Sequence, residues 1–263
     1  MSGRREQVMA ALDVLLISAR MQVSEMRAMP AVVTFAFVQP TAFLLVALLP
    51  LTDSSPEKVT RIVIGVLLTS FWTSTVWGTA GVLRRDRSGG TLARSLTCVR
   101  DPRLMVIGKG LGYSLATIVL AGVTVTLVLL VLRQPVVVAH PVWLLVGLVA
   151  VLLSGTAIGL LVGSIFVITR YGLQLSSALM YPMFLLGGML IPLEMVPWGL
   201  RWISYGISLR WLQQFLAGAA AGRIDLVPLA LAMGLTMGYG LLGSWLFQRT
   251  IRRTRKEATL ELY

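Results

Sequence analysis

The sequence RRDRSGGTLARSLTCVRDPRLMVIGK, residues 84–109, is the longest polar and basic interruption in a chain that otherwise consists of apolar runs. Seven of its residues are Lys or Arg and two are acidic, and long apolar segments lie on both sides. Loops rich in Lys and Arg are retained on the cytoplasmic side of membrane proteins. We therefore predict that residues 84–109 form a cytoplasmic loop between two membrane spans.

The loop itself contains a helix signal. Leu92, Leu96 and Val99 recur at helical spacing, which predicts a short helix at residues 91–99 with one apolar stripe. Asp101 ends this helix, because a residue before proline avoids the helical conformation, and Pro102 can open the next helix. Such a stripe either lies on the membrane surface or docks onto a partner protein.

The composition of the chain is that of a multi-span membrane protein. Of 263 residues, 56% are hydrophobic and 13% are charged, and the mean hydropathy is +0.82. The net charge of +12 follows the predicted loops and is attracted to membrane lipids, so we expect no nucleic-acid partner. The single cysteine, Cys98, excludes an intramolecular disulfide, and the single histidine, His140, falls on a different predicted loop.

The apolar runs predict an all-α membrane protein with six transmembrane helices in a single domain, residues 1–263. An amphipathic helix at 4–28 lies in the membrane interface or, alternatively, docks on the protein as an ordinary surface helix. A loop at 51–61 separates the first two spans, and the predicted spans are residues 31–49, 62–83, 110–132, 142–169, 173–191 and 226–247. Residues 192–222 are too interrupted to span and form short helices at, or dipping into, the outer membrane surface.

Several polar and small residues lie inside the predicted spans. Gln39 either makes a helix–helix hydrogen bond or lines a transport pathway. The hydroxyl residues of the second span, including Thr69 and Thr73, are explained equally well by packing and by a face on a cavity. Gly155, Gly159 and Gly163 form a small-residue face that allows close helix packing.

The distribution of charge fixes the expected orientation and the class of protein. Most of the 23 Lys and Arg residues fall on one side if both termini are cytoplasmic. No Asp, Glu, His, Lys or Arg lies in the core of a predicted span, which disfavours an ion-coupled transporter and an intramembrane enzyme. The phosphate-loop pattern is absent from the sequence, so we expect no enzymatic activity, no metal and no cofactor on this chain.

The order of these elements resembles the permease subunits of type-2 ABC exporters, the ABC-2 type family, over nearly the whole chain. One supporting motif is Arg85-Asp86-Arg87-Ser88-Gly89-Gly90-Thr91-Leu92, followed by Asp101-Pro102 and Lys109. The other is Gly187-Gly188-Met189-Leu190-Ile191-Pro192-Leu193-Glu194-Met195-Val196-Pro197. The chain departs from the family pattern in two places: a glutamate before the glycine–threonine pair is missing, and Ile207-Ser208-Leu209 replaces a common Asn-Pro.

The resemblance implies a mechanism and a set of site residues. The 91–99 helix would be a coupling helix that contacts a separate ATPase subunit, with the contact residues Arg85, Asp86, Arg87, Leu92, Leu96 and Val99. A pathway between two permeases would be lined by Thr69, Thr73, Ser177, Met180 and Met183. An extracellular gate would contain Pro192, Glu194 and Pro197.

The resemblance also implies partners and a location. They are two copies of an ATP-binding cassette subunit that hold ATP and Mg, a second permease that is identical or homologous, and the lipids of a bacterial cytoplasmic membrane. The lining would suit export of an amphipathic drug, natural product or lipid. The alternatives are a membrane scaffold or assembly module without transport and, third, a secondary transporter.

Overall fold

A computed structural model describes residues 2–49, 55–75, 78, 81, 102–168, 178, 185–187 and 198–256. All regular elements in these ranges are helices and none is a strand, as the sequence predicts. They are α1 (Ser2–Arg27), α2 (Pro30–Leu48), α3 (Pro56–Thr75), α4 (Pro102–Leu132), α5 (Pro141–Ile168), α6 (Trp198–Tyr205), α7 (Ser208–Ala220) and α8 (Leu226–Lys256).

Proline marks the start of four of these helices. Pro30, Pro56, Pro102 and Pro141 are the first residues of α2, α3, α4 and α5. The first helical position suits proline, because its fixed φ is already helical and its missing N–H would have no partner in the helix. Local sequence chemistry therefore sets these four boundaries.

Three helices in the described part are long and apolar enough to cross a membrane. They lie at Pro102–Leu132, Pro141–Ile165 and Leu226–Arg249, and Val33–Leu48 is a shorter apolar helix. The fifth predicted span, 173–191, falls mostly outside the described residues. The six-span arrangement therefore stays a prediction, whereas the membrane-type helical architecture is confirmed.

The structure corrects the predicted loop at 51–61, since residues from Pro56 onward are helical. Glu57 and Arg61 are exposed on this first part of α3, while Val59 and Val63 are buried on its other side. The charged residues therefore occupy one face of a helix that begins earlier than its apolar run. In the same way, α4 begins eight residues before the predicted span at 110, and α8 continues beyond 247 to Lys256.

The short helix α7 lies at the centre of the main hydrophobic core. It packs against α3, α5 and α8, and its side chains Leu209, Leu212 and Phe215 are almost completely buried. The core around it is completed by Leu68, Phe71, Trp72, Val151, Ile158 and Ala232. This part of the segment predicted at, or dipping into, the membrane surface is thus buried between the long helices.

A second apolar cluster closes the end of the molecule at which α2 ends and α3 begins. Leu44 and Leu48 of α2 meet Val59 and Val63 of α3 and Val125 of α4. The connection between α4 and α5 crosses the same end. Two hydrogen bonds hold it in place. The backbone N–H of Val137 donates to the Thr60 hydroxyl at 2.9 Å, and the backbone N–H of Ala139 donates to the carbonyl oxygen of Ala220 at 3.2 Å.

Candidate functional site

Most of the predicted site residues fall outside the described part of the chain. This holds for all six coupling residues, for three of the lining residues and for the whole gate. They are Arg85, Asp86, Arg87, Leu92, Leu96, Val99, Ser177, Met180, Met183, Pro192, Glu194 and Pro197. The described site therefore consists of Thr69 and Thr73 and the helices that flank the basic segment.

Thr69 and Thr73 are buried against neighbouring helices, with 0% and 2% of their surface exposed. The Thr69 hydroxyl donates to the carbonyl of Gly65 at 2.8 Å, and the Thr73 hydroxyl donates to the carbonyl of Thr69 at 2.9 Å. The Gln39 side-chain amide of α2 also donates to the Thr73 hydroxyl at 3.0 Å. Gln39 therefore makes a helix–helix hydrogen bond, the first of the two roles predicted for it. The lining role of Thr69 and Thr73 concerns a surface between two permeases and stays a prediction.

The helix that follows the basic segment, α4, is crossed closely by α1. A Cβ atom added to Gly108 would lie 2.6 Å from the Leu15 carbonyl oxygen, and one added to Gly112 would collide with the Ala19 backbone. The four-residue spacing places both glycines on one face, and the absence of side chains lets the two backbones touch. The two helices are thus packed as one unit next to the basic segment.

A buried cation lies at this crossing. Lys109 is 3% exposed, and its Nζ is 3.9 Å from Oε1 of Glu25 on α1. Gln22 and Ser114 are buried on the same two helices, and within the described part of the chain the Gln22 Oε1 and Ser114 Oγ atoms have no hydrogen-bond partner. Lys109 therefore lies inside the helix bundle, although the sequence placed it just before the third span.

The start of α4 is also attached to the end of α8. With the Gln248 amide oriented so that its oxygen faces α4, it accepts two hydrogen bonds from the Arg103 guanidinium, at 2.8 and 2.9 Å. Both donor groups of the guanidinium meet the same amide oxygen, which holds the two side chains together. The first turn of α4 is therefore linked to the last helix as well as to the first.

At the opposite end, α7 is held by polar contacts as well as by its apolar side chains. The hydroxyls of Ser154 on α5 and Ser208 on α7 are 2.6 Å apart, and the Tyr239 hydroxyl of α8 donates to the carbonyl of Gly206. The Arg210 guanidinium lies 4.0 Å from the centre of the Tyr205 ring, a cation–π contact. This contact explains how an arginine is accommodated in a helix so deeply embedded.

The long helices α5 and α8 pack through small residues. A Cβ atom added to Gly243 would lie 2.9 Å from the backbone nitrogen of Leu161, and the Ser164 hydroxyl donates to the Gly243 carbonyl at 3.3 Å. The predicted small-residue face of α5 is buried as well, on a different side of this helix from Leu161 and Ser164: Gly155, Gly159 and Gly163. Close approach of backbones is the main packing device in membranes, where apolar side chains gain little by leaving lipid.

A family model described as ABC-2 type transporter matches residues 14–219. This chain belongs to the ABC-2 type transporter family. The match begins within α1 and ends within α7, so it includes both the helix crossing beside the basic segment and the central short helix. A search among curated proteins finds no match.

Membership of the ABC-2 type transporter family makes this chain the membrane permease of an ABC transporter, a transport component and not a catalytic one, with an ATP-binding partner. The resemblance noted from the sequence is thereby confirmed. Sequence reasoning missed the Glu25–Lys109 pair and the crossing of α1 with α4 in this ABC-2 permease. The spacing of Gly108 and Gly112 was the available signal, since it matches the small-residue motif of close helix pairs.

Proposed function

We propose that this permease is the membrane subunit of an ATP-driven exporter. It pairs with a second permease, identical or homologous, and two ATP-binding cassette subunits hold ATP and Mg and supply the energy. The complex resides in the bacterial cytoplasmic membrane with both permease termini in the cytoplasm. The cargo is an amphipathic drug, natural product or lipid.

The continuity of α4 is the observation that carries this proposal. The predicted coupling helix ends at residue 99, and α4 begins at Pro102 and runs for 31 residues without a break. A rigid helix transmits a displacement at one end to the other, because its backbone hydrogen bonds resist bending. We therefore infer that force applied by the ATPase to the 91–99 helix reaches the membrane part through the first turn of α4.

The crossing of α1 distributes that force. Because Gly108 and Gly112 hold the two backbones in contact, a shift of α4 carries α1 with it. The Arg103–Gln248 link extends the same coupling to α8. On the other side of the loop, α3 leads into the coupling helix and contributes Thr69 and Thr73 to the proposed pathway.

The pathway forms between two permeases when α2 and α3 shift. Separation of these helices breaks the bond between Gln39 and Thr73 and turns the α3 hydroxyls toward the cargo. Ser177, Met180 and Met183 supply the facing wall, and Pro192, Glu194 and Pro197 close its outer end. Flexible Met side chains and hydroxyls adapt to amphipathic molecules of different shapes, which supports the substrate class.

Copurification with the ATP-binding subunit tests the coupling assignment. Leu96→Asp puts a charge in the apolar stripe and is expected to abolish association, whereas Thr97→Asp puts the same charge off the stripe and is expected to preserve it. Membrane insertion of both variants is verified by their yield in washed membranes. Equal recruitment of the ATPase by both variants contradicts the coupling role of the stripe.

Transport in inside-out vesicles tests export. Vesicles with permease and ATPase are expected to accumulate an amphipathic fluorescent dye when ATP is added, and an ATPase variant that cannot hydrolyse ATP abolishes this. Accumulation driven by an ion gradient without ATP contradicts the proposal and favours the secondary transporter. Association with the ATPase without transport of any amphipathic dye favours a scaffold.

A further inference from the structure

An apolar groove with a cavity volume of about 570 Å³ lies between α3 and α4. Leu67 of α3 and Val125 and Leu129 of α4 line it, and the segment after α4 closes its end. Its volume falls within the roughly 300–1,000 Å³ of small-molecule sites. Leu130 on its edge is 69% exposed, so the groove opens on the surface of the bundle.

The wall of the groove is apolar along its length. Gly122 leaves it open, since a Cβ atom there would have no neighbour within 4 Å. Thr126 is the one hydroxyl residue on the α4 side, and its hydroxyl already donates to the Gly122 carbonyl at 2.8 Å. An alkyl chain in the groove would therefore meet no unpaired hydroxyl on this wall.

Arg133, at the end of the groove, has an unusual backbone conformation. Arg133 follows the last residue of α4 with φ of 50°, the left-handed conformation that glycine usually supplies at a helix end. The N–H groups of Arg133 and Gln134 donate to Leu130 and Leu129, at 3.3 and 3.1 Å, as in the cap that a glycine normally forms. An arginine here costs conformational free energy that a glycine would not.

The charged group at this end is available to a ligand. Arg133 is exposed and forms no ion pair with any residue that the structure describes. The Gln134 Oε1 atom is buried and has no hydrogen-bond partner among the described residues. A permanent cation thus lies at the mouth of an apolar groove.

We infer that this groove binds a membrane glycerophospholipid, with one acyl chain between α3 and α4 and the headgroup phosphate on Arg133. Arg133 follows Gly122 by eleven positions, about 16 Å of helix, close to the about 15 Å of hydrocarbon in one leaflet. Guanidinium binds phosphate through two parallel hydrogen bonds. The lipid is a bound component and not cargo, since none of the groove residues is among those proposed to line the pathway.

Photolabelling tests this inference on the full chain in nanodiscs. The probe is phosphatidylethanolamine with a diazirine in one acyl chain, and labelled peptides are identified by mass spectrometry. Gly122→Leu fills the groove, and Arg133→Gly removes the guanidinium while keeping the residue that this cap prefers. Gly234→Leu on α8 is the matched control, because a Cβ atom there also has no neighbour within 4 Å.

The expected result is labelling of the 119–130 part of α4 that falls at least about tenfold in Arg133→Gly, the factor for loss of only one of the two charge-assisted hydrogen bonds to the phosphate. Gly122→Leu is expected to reduce the labelling of this part at least as much, and Gly234→Leu leaves it unchanged. The melting temperature of Arg133→Gly stays equal or rises, which separates lipid loss from misfolding.

Three results overturn the inference. Equal labelling of α4 in Arg133→Gly and Gly234→Leu would show that the headgroup does not contact Arg133. Competition by millimolar inorganic phosphate shows a site for free anions. A protein–protein cross-link from a photoreactive residue at position 126 shows that a second copy of the chain covers the groove.

Discussion

The side-chain amide of Gln39 and the hydroxyl of Thr73 join α2 to α3 through a hydrogen bond of 3.0 Å. Gln39→Leu removes this bond and is expected to destabilise the permease by about 0.6–1.7 kcal/mol, the range for hydrogen bonds between membrane helices. The free energy of unfolding is measured by denaturant titration in detergent micelles. Thr126→Val is the control, because that exposed hydroxyl bonds only within its own helix.

A double-mutant cycle isolates the contribution of this pair. Gln39→Leu combined with Thr73→Val is expected to show a coupling free energy of about 0.6 kcal/mol. Strictly additive effects would mean that the two side chains do not interact in the folded permease.

The crossing of α1 and α4 predicts opposite effects on stability when two glycines of α4 are replaced by alanine. Gly112→Ala forces the new methyl group into the Ala19 backbone and is expected to cost about 1–3 kcal/mol. Gly122→Ala, where a Cβ atom has open space, is expected to stabilise by about 0.5–1 kcal/mol through helix propensity. Thermal unfolding of both variants measures the difference. A destabilisation of both by the same amount would refute the close crossing.

The Glu25–Lys109 pair is tested by exchanging its charges. Lys109→Glu puts two carboxylates together at a site where Lys109 is 3% exposed, and the expected cost is roughly 3 kcal/mol. Adding Glu25→Lys to this variant restores opposite charges and should recover part of the loss. The yield and melting temperature of the folded permease are the measurements. If the double variant is less stable than Lys109→Glu, the pair does not stabilise the crossing.

The central position of α7 predicts a large effect of truncation. Leu212 is 0% exposed, and Leu212→Ala is expected to destabilise by about 2–5 kcal/mol because it leaves a cavity among α3, α5 and α8. Gln214→Ala, on the exposed side of the same helix, should change stability by less than about 0.5 kcal/mol. Comparable small effects in both variants would place α7 at the membrane surface.

The orientation of the permease is testable with single cysteines in a Cys98→Ser background. Arg223→Cys, before α8, is expected to react with a membrane-impermeant maleimide in intact cells, because the basic loops are retained inside. Gln7→Cys, on the exposed part of α1, should react only after permeabilisation. The reverse pattern would invert the topology.

The apolar runs were sufficient to predict the class of the described helices and the starts of α2, α5 and α8, but not the starts of α3 and α4. Residues 56–61 were assigned to a loop because Glu57, Lys58 and Arg61 interrupt the apolar pattern, yet the exposed side of a helix end accepts such charges. Lys109 was placed before a span for the same reason. Hydropathy counts charges along the chain, whereas a lysine can be buried if a neighbouring helix supplies a partner for it. The partner of Lys109 is Glu25, which is far away in sequence.

The burial of α7 within the bundle could not be predicted for a related reason. Arg210 and the nearby glycines make residues 198–222 too interrupted for a span, so the sequence predicts short helices at, or dipping into, the membrane surface. In the structure Arg210 stacks on Tyr205, and the apolar side chains of α7 fill a space that only the long helices create. Of the predicted site, Thr69 and Thr73 could be located, and their hydroxyls follow the packing interpretation within the chain.

Because α7 is buried and α6 is exposed, these two neighbouring helices differ in how well they tolerate substitutions. Trp198 and Trp202 of α6 are 76% and 68% exposed, so new side chains there disturb no core. Every buried position of α7, by contrast, is shared with α3, α5 or α8, and a replacement there requires compensating replacements in those helices. Randomised libraries that must preserve the fold should therefore vary the exposed face of α6 and leave Leu209, Leu212 and Phe215 unchanged.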